Sequence, residues 1–168
     1  MRLPMKSFLF LPIVISLWIL GCSHADPKTI AMLNQGASLG GQLPANPLQW
    51  KVITSMIDRT ASTMSTLYGN DTAIRYVRTH SQTDYPAGSV LSLVTWTQQE
   101  DPRWFGGKIP QSVKSVEFVT VVAAADGHPS YEYKKFEGAP LAESSKPDPG
   151  ASNERAAYLV AQRAAVLP

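Results

Sequence analysis

Glu117 stands in an otherwise apolar run, residues 113–125, and is the carboxyl group whose setting suggests acid–base work. A carboxyl buried in such a run has its pKa raised and can exchange a proton; one at an exposed edge, or paired with an arginine, does not. The histidines are His24, His80 and His128. His24 falls in a spacer rich in proline and glycine and reads as solvated. His80 lies near Ser81 and Thr83, and His128 lies between Gly127 and Pro129, so both are expected to be exposed turn residues. Three histidines and one cysteine leave little for a zinc or iron centre, which takes several nitrogen or sulfur ligands. Asp58 beside Arg59 reads as a polar connection, since exposed ion pairs contribute little. No nucleophile elbow, phosphate loop or paired-carboxylate motif occurs. Neither a catalytic residue nor a metal ligand is therefore assigned.

The cysteine, Cys22, has a different setting. Arg2 and Lys6 form a positive start, and residues 8–20 an apolar run of thirteen, the length of a secretory core and short of the ~20 needed to span a bilayer. Ile19-Leu20-Gly21-Cys22 then resembles the bacterial lipobox, in which the cysteine becomes the first mature residue and is acylated. With no second thiol, no internal disulfide can form, so tethering explains Cys22 better than structure does. The alternative is an ordinary secretory peptide with an incidental cysteine. Ser23 at the following position resembles the signal for an outer-membrane destination, on the periplasmic face of a bacterial envelope.

Composition bounds the rest. The chain has 168 residues, 44% apolar and 17% charged, which suits one globular domain with a real core. Without Arg2 and Lys6 its 15 basic residues become 13, equal to the 13 acidic ones. No basic patch with interleaved aromatics stands out, which argues against nucleic acid as a partner. The organisation expected is a leader over 1–21, a tether over 22–47 and one domain over 48–168.

The elements that position these residues follow from periodicity. A short helix after Pro27, with Ile30 and Leu33 on one face, is expected to stop at Gly36. Residues 50–58 read as a strand buried on both sides, with Trp50, Val52 and Met56 opposite Ile53 and Ile57. A strand over 63–68 leads through Gly69-Asn70-Asp71 into a helix whose apolar face is Ala73, Ile74 and Val77. Residues 89–98 alternate as a strand, and 99–110 read as a long loop around Trp104-Phe105. That pair either walls a ligand cavity or caps the core. Residues 113–125 form a second clear strand, with Glu117, Val119 and Val121 on one side, and 131–136 a third, with Tyr131, Tyr133 and Lys135 together. After a polar loop over 137–150, a helix is expected from Ser152-Asn153-Glu154, docked by Leu159 and Val160. The fold class expected is α+β, an antiparallel sheet with packed helices.

Several strings resemble the cytochrome P-460 domain family, whose relatives include the cytochromes c-prime-beta. They are residues 50–55, Leu67-Tyr68-Gly69-Asn70-Asp71 with Ala73 following, Tyr85-Pro86-Ala87-Gly88-Ser89-Val90-Leu91, Val94-Thr95-Trp96, Ile109-Pro110 and Val116-Glu117-Phe118. The resemblance implies a single exported domain, commonly dimeric. Haem-bearing members attach a c-type haem through Cys-x-x-Cys-His near the carboxyl end, and the histidine ligates iron. The corresponding region here, about Lys146-Pro147-Asp148-Pro149-Gly150, has neither thiol nor imidazole, so thioether attachment is excluded. No lysine is assigned to the haem cross-link of the P-460 enzymes, and no catalytic residue carries over.

The expectation is therefore a haem-free envelope lipoprotein whose domain serves as a small-ligand-binding or structural module. The alternative is a redox protein or oxidoreductase holding haem noncovalently through His80, His128 or a tyrosine. Dense packing penalises empty space, so the volume that haem would fill must be closed or used by another apolar ligand. Partial filling is expected, with Trp96, Trp104, Phe105, Tyr131 and Tyr133 around a smaller residual pocket.

Overall fold

The computed structural model describes residues 34–80, 84–123, 129–144 and 148–165. The leader, Cys22, His24, the helix expected after Pro27, His128 and Lys146-Pro147 lie outside them. Six strands run in sequence order across one antiparallel sheet: β1 (Lys51–Asp58), β2 (Thr63–Gly69), β3 (Val90–Glu100), β4 (Lys108–Ala123), β5 (Pro129–Glu137) and the two-residue β6 (Ala142–Glu143). Two helices, α1 (Asp71–Thr79) and α2 (Pro149–Val160), complete a mostly-sheet α+β domain.

Alternation along the strands gives the sheet two apolar faces. Ile53, Leu67, Leu91, Leu93, Val119 and Val121 form one core with α1 and α2, through Ala73, Ile74, Ala156, Leu159 and Val160. Val94, Trp96, Val116, Phe118 and Phe136 form the other, covered by Leu141 and by Ala37, Leu39, Leu43 and Ala45. Residues 34–47 are thus part of the fold and not free tether, because their apolar side chains complete the second core. Gly41 makes this approach close: at φ 124°, a Cβ there would sit 2.2 Å from the Leu141 carbonyl oxygen.

Two boundaries move for local reasons. Asp148 caps α2 by accepting from the Gly150 N–H, and Pro149 takes the first helical position, so the helix begins three residues before Ser152. The loop expected over 99–110 is shorter, because β3 and β4 pair as far as Glu100 opposite Lys108. Strand β1 is not buried on both sides. It lies at the sheet edge, a bulge between Val52 and Thr54 turns Ile53 into the helix-covered core, and Val52 and Ile57 are exposed.

Candidate ligand site

Glu117 settles the first chemical question. It is 3% exposed, in the middle of β4, and its neighbours are donors. Arg155 of α2 donates from Nε to Oε2 at 2.7 Å and from Nη2 to Oε1 at 2.8 Å, and the Tyr133 hydroxyl donates to Oε2 at 2.7 Å. Three donors suit a carboxylate that accepts. Burial and the hydrogen bond to Glu117 push the Tyr133 phenol well above its ordinary range, and the Glu117 hydrogen bond raises the Arg155 guanidinium. Of the two outcomes open to Glu117, pairing with an arginine is the one observed. The sequence held a signal for this: Arg155 lies four residues before Leu159, so the two are neighbours on one side of α2.

Open grooves flank Arg155. One, of about 730 Å³, runs over Thr63, Ser65, Leu93 and Thr95 to Lys114 and Tyr158. Its neighbour, of about 390 Å³, includes Tyr133, Lys135 and Glu137. They lie beside α2, whose first turn offers Asp148, Pro149 and Gly150. The chemistry of these residues does not fit a covalent c-type haem, which needs two thiols and an imidazole. Among the described residues no three His, Cys, Asp or Glu side chains gather to hold a metal ion. His80 follows α1 at the surface, with its ring stacked on Tyr76 at 4.3 Å and its Nδ1 2.8 Å from the Thr79 hydroxyl. It lines neither groove.

The opposite face holds a smaller, more apolar pocket of about 320 Å³. Its floor is Val90, Phe118 and Thr120, its roof Pro44, Ala45 and Trp50, and its mouth Glu132 and Lys134. The roof is set by a short turn, Pro47–Gln49, in which the Asn46 side chain accepts from the Leu48 N–H and the Trp50 N–H donates to the Pro47 carbonyl. This directs Trp50 against Phe118, edge to face at 6.2 Å, and Phe118 meets Phe136 in the same way at 5.7 Å. Packing therefore fixes both walls.

The five residues expected around one pocket do not converge. Trp96 is 6% exposed in the second core, where its indole donates to the Ala37 carbonyl. Tyr131 and Tyr133 pack on the helix-covered side, because the register places them opposite Val121 and Val119. Trp104 and Phe105 stand at the hairpin tip, 75% and 105% exposed, and do not cap the core. The apolar pocket of this face is built instead by Trp50 and Phe118. The Asn46-Pro47 pair, a cap followed by a first-turn proline, was the readable sign of the turn that positions Trp50.

The sequence model of the family Cytochrome P460 matches residues 44–152 of this chain. No curated protein matches it. The matched span runs from the pocket roof at Pro44 through the sheet to the first turn of α2.

Proposed function

The chain belongs to the cytochrome P460 family, and we propose on that premise that it is an exported envelope lipoprotein whose domain binds a small apolar molecule and carries no covalent haem. The observation behind the binding reading is the pocket of about 320 Å³ between Trp50 and Phe118. Small-molecule sites are concave, mainly apolar, and carry a few polar groups that orient the ligand; their volumes begin at roughly 300 Å³. Here Trp50, Phe118 and Val90 supply the apolar wall, and Lys134 and Glu132 the polar mouth. The reading without covalent haem rests on the single cysteine, which cannot form two thioether bonds.

Titration with a small non-fluorescent apolar probe such as cyclohexanol is expected to shift Trp50 emission. Ala45→Leu, which fills the pocket from its roof, is expected to weaken the effect at least tenfold. An unchanged response in Ala45→Leu places the probe elsewhere and removes the binding reading. Protein purified from cells grown with ample haem is expected to show no Soret band, and a stoichiometric band overturns the haem-free reading.

A further inference from the structure

The turn between β3 and β4 holds two large aromatic side chains in water. Trp104 is 75% exposed and Phe105 is 105% exposed. Their position follows from a closed set of backbone ties: Asp101 N–H donates to the Gly107 carbonyl, Gly107 N–H to the Trp104 carbonyl, and Arg103 N–H to the Asp101 carboxylate. Gly106 turns the chain at φ 76°. The tip is thus shaped in advance and presents its aromatics outward. Its charges cancel locally, Glu100 and Asp101 against Lys108 and Arg103, and Glu100 and Lys108 pair with each other. A neutral tip of Trp beside Phe matches the bilayer interface, where aromatic rings settle at headgroup level without needing anionic lipid.

The point at which the chain enters the domain indicates which surface the tip meets. Gly36 packs so closely on β4 that a Cβ there would lie 2.5 Å from the Gln111 carbonyl oxygen. Gln111 is three residues beyond Lys108, where the tip ends, a rise of about 10 Å. Residues 34–37 therefore lie at the same end of the sheet as Trp104 and Phe105. Only eleven residues separate Cys22 from Asn34, a span of at most ~40 Å when extended.

We propose that the Trp104-Phe105 tip inserts into the interfacial zone of the same membrane that holds acylated Cys22, as a second contact that orients the domain. The proposal rests on the lipoprotein reading. Tethering makes a weak contact sufficient, because a second contact made from an anchored chain forms at an effective concentration of roughly millimolar. The occupant is the lipid surface; a second copy of the chain or a partner protein is an outcome of the test.

The full-length protein, labelled with a fatty-acid analogue and reconstituted into phosphatidylcholine vesicles, is compared with and without bromine on the lipid chains. Bromine is expected to reduce tryptophan emission in the wild type, and Trp104→Ser to remove most of that loss. Soluble iodide is expected to quench Trp104 several-fold less in vesicles than in detergent-free solution. Trp104 is solvent-exposed, so its replacement leaves the core intact, which the emission of Trp50 and Trp96 checks. A labelled, vesicle-bound protein whose Trp104 ignores bromine and stays open to iodide overturns the tip contact alone, and leaves a protein partner or a second copy as its occupant. A protein that takes no label and does not partition overturns the anchor, and this proposal with it.

Discussion

Arg155 on α2 holds Glu117 in the middle of β4 through two parallel hydrogen bonds of 2.7 and 2.8 Å, and the two partners differ sharply in exposure. The Glu117 side chain is 4% exposed and the Arg155 side chain 39%. Arg155 also lies over the Tyr158 ring, 4.9 Å from its centroid. The pair therefore ties the helix to the sheet from a wet end to a dry one.

The asymmetry predicts an order of mutational effects. Arg155→Met strands a buried carboxylate with Tyr133 as its remaining donor and is expected to cost about 3–5 kcal/mol. Glu117→Met leaves an arginine that can turn to water, and is expected to cost at least about 1 kcal/mol less. The double variant should recover most of the Arg155→Met loss, because no unpaired charge remains buried. Urea unfolding of the three proteins tests this. Equal losses in the two single variants, with no recovery in the double, would show that the pair contributes only side-chain packing.

How far the sequence disclosed this arrangement depends on the range of the cause. Alternation placed Glu117, Val119 and Val121 on one side of β4 and Tyr131 and Tyr133 on one side of β5, and both hold, because period-2 order is local. The face of α1 was equally legible from Ala73, Ile74 and Val77. Strand β1 misled, because a bulge at Ile53 shifts the register by one residue and no nearby residue announces it. Residues 34–47 read as spacer since proline and glycine mark irregular chain, and irregular chain can still pack tightly. Which aromatics build the pocket is hidden from the sequence for a related reason. Whether Trp104 or Trp50 meets Phe118 depends on contacts far apart in sequence, which alternation within one strand does not report.

Asn70 joins three segments through one side chain. Its Oδ1 accepts from the N–H of Ala73, capping α1, and from the N–H of Val90 at the start of β3, while Nδ2 donates to the Gly88 carbonyl. Loss of the cap costs about 1 kcal/mol and loss of the two further hydrogen bonds about 1–2 kcal/mol more. Asn70→Ala is therefore expected to destabilise by about 2–3 kcal/mol, and Asn70→Asp, which keeps both acceptor contacts, by about 1 kcal/mol. Thermal and urea unfolding measure both. Matching losses would mean that the Gly88 contact, and not the cap, carries the effect.

Tyr85 offers a pH-dependent test. It is 2% exposed, and among the described residues its hydroxyl has no hydrogen-bond partner. Burial, with a smaller contribution from Tyr76, pushes its phenol up to about 12. An unfolded tyrosine titrates near ~10, so above that pH the unfolded chain releases its proton first. The stability linked to this group is fully present below about pH 10 and is lost as pH rises toward about 12. Tyr133, raised in the same direction, adds to the trend. Tyr85→Phe is expected to be neutral or stabilising by about 1 kcal/mol at pH 7, since it removes a buried unpaired hydroxyl. Its melting temperature should also fall less steeply than the wild type between pH 9 and pH 11. A steeper fall in the variant would contradict the assignment of that titration to Tyr85.

Cys22 carries the prediction with the widest consequence for where the protein works. One acyl chain gives only marginal membrane affinity, whereas a cysteine bearing several chains gives a stable anchor. The wild type expressed in a bacterial host is therefore expected to fractionate with membranes and to take up a fatty-acid label. On the lipoprotein reading Cys22→Ser removes the sulfur that would be acylated first, so the variant should take no label and either appear in the soluble fraction or remain unprocessed at its full length. Processing removes the apolar run of residues 8–20 along with the leader, so retention of a processed Cys22→Ser protein would need another attachment. Label that persists in Cys22→Ser sinks the lipobox reading. A wild type that is processed yet unlabelled and soluble would establish the alternative, an ordinary secretory peptide beside an incidental cysteine.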